Sequence, residues 1–150
     1  MSPHGRYIAT EVAISALING ALSLLAAWLV FGGRQSIEAA GPQGFAMDFL
    51  PQTFMVTLMS TLVPTWLTRR RVRSGQIKRL PQGVTRLPHN VVLRALTLAL
   101  ASTAILGLGA LFLAPVVWQG PVSLAGLLAL KVTYGALISI PVTGFAITRA

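Results

Sequence analysis

Three ionisable residues of this chain lie inside long apolar runs: Glu11, Arg94 and Lys131. In such a setting a carboxylate can exchange protons or hold a cation, and an ammonium or guanidinium can hold an anion. An unpaired lysine deep in a membrane costs about 2.5 kcal/mol or more, so each charge needs a partner. Polar residues repeat along three of the four runs, two of them with Glu11 and Lys131. Glu11, Ser15 and Asn19 recur every fourth residue, as do Thr53, Thr57, Thr61 and Thr65 with Gln52 adjoining, and Lys131, Gly135, Ser139 and Thr143. A step of four keeps residues on one face of a helix.

Depth counting assigns partners. At 1.5 Å rise per residue Lys131 falls level with Thr57, Gln52 lies nearer the same end, Asn19 is somewhat deeper, and Glu11 is roughly 17 Å below. Glu11 therefore pairs best with Arg94, and Lys131 with Thr57, Gln52 and Asn19. Two uses of these polar layers stay open. One is an ion or solute path in which Glu11 exchanges protons; the other is the fixing of helix register by buried polar groups. For Glu11 with Arg94 the structural use is the stronger reading, and for Lys131 the two are balanced.

The elements that carry these residues are four apolar stretches, at about 7–31, 49–68, 91–114 and 122–147. Each is long enough to span a hydrocarbon core of about 30 Å as a helix, and all are too long and uniform for barrel strands. The expected fold is an all-α membrane protein of one domain, two helical hairpins joined by a basic loop over about 69–90. Eight of the twelve Lys and Arg residues fall between Arg69 and Arg94, against three acids in the whole chain. That imbalance places Arg69, Arg70, Arg71, Arg73, Lys78 and Arg79 in the cytoplasm and, with four spans, both termini there too. Their partner is the anionic leaflet rather than nucleic acid, since no separate folded module presents them. The overall layout is that of a bacterial inner-membrane protein.

Local signals refine the frame. Asp48 and Asn90 are N-cap candidates for the second and third helices, and Gly120-Pro121 starts the fourth. Pro64 removes the amide that would bond the Ser60 carbonyl, so one free acceptor is expected there. Ala9, Ala13, Ala16, Gly20, Ser23 and Ala27 form a small-residue stripe suited to close helix packing.

Enzymatic chemistry is not legible. The chain has no cysteine and only two histidines, His4 and His89. It has no zinc-protease helix, phosphate loop, paired carboxylates or nucleophile with an adjacent base. No cofactor or metal is expected.

Thr10-Glu11-Val12 resembles the Ala-Glu-Val around the membrane-embedded glutamate of the small multidrug-resistance transporters, which are also four-helix proteins. The resemblance implies that Glu11 would be a shared proton and cation site. It covers only these residues, and the chain departs from that family in its greater length, its basic central segment and its lysine in the fourth helix. A buried positive charge does not suit a cation exporter, and the assignment is not adopted. Two functions remain in competition. The first is a small transporter or permease for an ion or small solute, acting as a homo-oligomer. The second is a non-catalytic accessory subunit of a larger membrane-protein partner, docked through its small-residue faces and basic loop.

Overall fold

The computed structural model describes residues 3–77 and 88–148. Helices dominate: α1 (Pro3–Phe31), α2 (Phe49–Arg73), α3 (Val91–Ser102), α4 (Leu108–Val117) and α5 (Leu124–Ile147). A π-helical turn, Thr103–Gly107, joins α3 to α4, so the three form one continuous rod. At its start the Thr103 hydroxyl donates to the Ala99 carbonyl, 2.7 Å away, a back-bond that disturbs the helical ladder.

The protein is a helical bundle built to cross a membrane. Gly5–Phe31, Val91–Val117 and Leu124–Ile147 are each long and apolar enough to do so, with mean hydropathies of 2.0, 2.1 and 1.6. Its outside is apolar: Leu17, Leu29, Ile105, Phe112 and Val116 are among many exposed large side chains. Its inside holds nearly as many polar as apolar side chains, including Thr53, Thr57, Ser60, Thr61, Thr65 and Lys131. Water would reverse that distribution; lipid permits it.

α2 is the exception that explains the arrangement. It is 25 residues long, yet its Thr, Ser, Gln and Arg content leaves it out of the apolar group. The reason is its position, between α5 on one side and α3 with the π turn on the other. α1 packs chiefly on α5 and touches α2 only lightly. The closest approach is at Gly135, where a Cβ would lie 3.3 Å from the Asn19 carbonyl oxygen and clash with Ser23. The small-residue stripe is thus half used: Gly20, Ser23 and Ala27 are buried, while Ala9 and Ala13 face outward.

Two short strands staple one end. β1 (Ser36–Ile37) pairs antiparallel with β2 (Val122–Ser123), Ser36 opposite Ser123 and Ile37 opposite Val122. The first and last interhelical connections therefore meet at one end, and Arg69, Arg70, Arg71 and Arg73 lie at the other, where α2 ends. Phe45, Ala46, Ile37 and Ala39 fold into the bundle beneath this staple and form the main apolar core with Phe31, Phe49 and Leu127.

Boundaries differ from expectation in informative places. α2 runs on to Arg73, so Arg69, Arg70, Arg71 and Arg73 lie in its last turns rather than in a loop. Arginine is a good helix former, and cations are favourable at a helix C-terminus. Gly75, at φ +72°, then turns the chain away. α5 starts at Leu124 with Ser123 as N-cap, because Val122 is taken by the strand pair. Asn90 caps α3 as expected, accepting from the Val92 and Leu93 amides. Asp48 makes no side-chain cap for α2; its carboxylate is engaged elsewhere. Lys78 and Arg79 lie outside the described residues.

Candidate functional site

Side chains on an α-helix lean toward its N-terminus. α5 begins at the stapled end, so Lys131 leans toward that end. Its Nζ meets Asp48 Oδ2 at 2.9 Å and the Phe45 carbonyl at 3.3 Å, and lies 3.8 Å from the centre of the Phe49 ring. Lys131 is fully buried, whereas the Asp48 side chain is 28 % exposed. The aromatic wall around the ammonium continues through edge-on contacts of Phe45 with Trp118 and of Phe49 with Tyr134. Tyr134 in turn shares a 2.7 Å hydrogen bond with Thr53.

α1 begins at the opposite end, so Glu11 leans that way. Its Oε1 accepts from Arg71, which also donates to the Tyr7 hydroxyl at 3.1 Å. Tyr7 shares a hydrogen bond with Thr68. The expected Glu11–Arg94 pair is replaced by Glu11–Arg71, because α2 extends far enough to bring Arg71 over α1. Arg94 is buried, with Nη2 3.5 Å from the Thr65 hydroxyl.

Between these ion pairs runs a polar seam of α1, α2 and α5. Asn19 Nδ2 donates to Ser60 Oγ at 3.1 Å and to the Ser15 carbonyl at 2.8 Å. Thr143 donates to Ser15 Oγ at 2.7 Å and approaches the Ser60 carbonyl at 3.4 Å. The acceptor freed by Pro64 is thus met by α5. Nearer the stapled end, Gln52 Nε2 donates to Ser23 Oγ at 3.0 Å and to the Lys131 carbonyl at 2.9 Å. Gln52 therefore touches the Lys131 backbone rather than its ammonium, and neither Asn19 nor Thr57 reaches that ammonium. Two buried atoms of the seam, Gln52 Oε1 and Thr57 Oγ1, have no partner among the described residues. Such orphans are rare in native interiors, where a bound water or another polar group ordinarily satisfies them.

Of the residues singled out by sequence, Gln52 and Asn19 line this seam with Glu11 at its far end, and Thr57 carries one of the orphaned atoms. Asp48 and Phe45 were missed as members; Thr143 was read as part of the Lys131 stripe and Ser60 as a free acceptor, without being joined to each other. Asp48 lies beyond its apolar run, so depth matching between helix interiors could not reach it; the N-terminal lean of Lys131 was the available signal. Among the described residues no cluster of His, Cys, Asp and Glu could hold a metal ion. Comparison with known protein families, curated proteins and solved structures gave no match.

Proposed function

We propose that this chain is a small permease that moves an ion or small solute along the α1–α2–α5 seam. The observation that carries the reading is one of placement: a hydrogen-bonded polar seam joins two ion pairs anchored near the two ends of α2. Asp48 and Arg71 are 23 positions apart, about 35 Å at 1.5 Å per residue, which matches the thickness of a hydrocarbon core. The orphaned acceptor of Gln52 and the hydroxyl of Thr57 suit a seam whose partners change during passage. A bundle that needed only rigidity would satisfy both atoms or replace them with apolar groups.

In this reading α2 is the fourth span, its threonine face turned to its neighbours and its Met55, Met59, Val63 and Trp66 stripe turned to lipid, and the bundle has two hairpins. The basic end faces the cytoplasm, with both termini, in a bacterial inner membrane, where Arg69, Arg70, Arg73, Lys78 and Arg79 meet anionic headgroups. Lys131–Asp48 closes the outer end, and Arg71–Glu11 closes the inner end. The chain works without a cofactor or a catalytic step and as a homo-oligomer. Transport is favoured over an accessory role because Gly135, the tightest interhelical glycine, and Gly20 are both used between α1 and α5 and leave less for a partner.

Reconstitution tests it. Purified protein in liposomes on a solid-supported membrane is stepped in pH, Na⁺ and K⁺, and the same liposomes are assayed for swelling in glycerol and urea. A charge movement or swelling present in the wild type and lost in Asn19→Leu supports the permease. Liposomes silent under every gradient contradict it.

A further inference from the structure

α1 and α2 lean on α5 from either side, and between them a groove of about 480 Å³ opens along the flank of the bundle. Its walls are apolar, with exposed Leu22 and Leu25 on α1 facing Met55 and Met59 on α2. Asp48 and Gln52 line its stapled end. The Asp48 carboxylate presents an acceptor there, and the Gln52 Oε1 lies buried at the same end. Gln52 Nε2 is consumed by Ser23 and the Lys131 carbonyl, which leaves Oε1 without a donor. The Asp48 carboxylate is partly exposed, while the ammonium that it binds is fully buried behind it.

Size restricts the occupant. A helix about 10–12 Å across displaces roughly 1,000 Å³ or more over three turns, too much to seat in this groove. The volume instead lies within the range of about 300–1,000 Å³ typical of small-molecule sites. Methionine walls adapt to a flexible chain.

We propose that this groove binds a single-chain amphiphile taken from the bilayer. Its alkyl chain lies between the leucine and methionine walls, and its hydrogen-bond-donating head, hydroxyl or ammonium, meets Asp48 and Gln52 Oε1. The acceptor-lined end excludes a carboxylate head. The groove shares Asn19, Ser23 and Gln52 with the seam, but labelling reads binding without flux, so binding and the flux proposed above can fail separately.

The test uses the full chain in lipid nanodiscs with hexadecanol, hexadecylamine or palmitate, each carrying a mid-chain diazirine. After irradiation the labelled peptides are mapped. The alcohol or the amine should label the α1 and α2 segments around Leu22 and Met59 several-fold more than palmitate does, and several-fold more than the α4 segment around Phe112. The ratio of alcohol to amine then identifies the head. Gln52→Leu should lower labelling about tenfold, the worth of one buried hydrogen bond. Because that change also removes two structural bonds, Leu25→Trp serves as a second variant. It fills the groove from its exposed rim, and should lower labelling without lowering the unfolding temperature. Equal labelling of α4, equal labelling by palmitate, or labelling unchanged in both variants would overturn the site.

Discussion

Asp48 Oδ2 and Lys131 Nζ are 2.9 Å apart, joining the residue before α2 to the middle of a different helix. Arg71 with Glu11 repeats the arrangement at the other end of α2. The helix with the most polar buried face is thus tied to α5 at one end and to α1 at the other.

The two partners of the Asp48–Lys131 pair are unequal. Asp48→Asn strands a fully buried ammonium, whereas Lys131→Met leaves a carboxylate that already reaches solvent. Breaking a buried pair costs about 3–5 kcal/mol, and Asp48→Asn should approach that figure while Lys131→Met falls below it. The double variant should recover much of the loss. Thermal unfolding of the three proteins in one detergent checks the order; Lys131→Met as the more damaging change would contradict it.

The Glu11–Arg71 pair is more accessible, the Arg71 side chain being 35 % exposed. A double-mutant cycle of Glu11→Gln with Arg71→Gln should give a coupling of about 1 kcal/mol or less, reduced further by salt. A coupling of zero at low salt would show that the contact does not persist in solution.

Glycines discriminate the packing. Gly135→Ala forces α1 away from α5 and should cost about 1–3 kcal/mol. Gly109→Ala meets nothing within 4 Å and should be close to neutral. Equal effects in chemical unfolding would contradict the observed α1–α5 approach.

Much of this fold was legible in residue order. Three helices announce themselves by length and hydropathy, and the Asn90 cap and the Pro64 vacancy could be read locally. α2 was read with them as an apolar stretch over 49–68, yet its threonine-rich buried face and arginine end leave it outside the three helices apolar enough to cross a membrane. The ion pairs were misassigned for one physical reason. Matching residues by depth treats side chains as horizontal, yet Lys131 and Glu11 both lean toward their own helix N-termini, in opposite directions along the bundle. Each therefore meets an end of α2, Asp48 or Arg71, that lies outside the apolar runs. The strand staple was not legible, because Ser36-Ile37 and Val122-Ser123 are too short to carry a strand pattern.

Orientation has its own test. Reporter fusions should read cytoplasmic at Gln76 and external at Gln43. The reverse result would invert the bundle and with it the assignment of inner and outer ion pairs.

The central claim is that the seam carries a solute, and a chain without cysteine permits a direct measurement. Single variants Ser15→Cys, Ser23→Cys and Ser60→Cys, with Leu106→Cys on the exposed outer face as control, are treated in membranes with a charged, water-soluble thiol reagent. The account predicts that the three seam positions react, more slowly when the ion pairs hold the ends closed, and that Leu106→Cys does not. If the seam cysteines yield only to a lipid-soluble reagent, water never enters, and the polar residues serve packing alone.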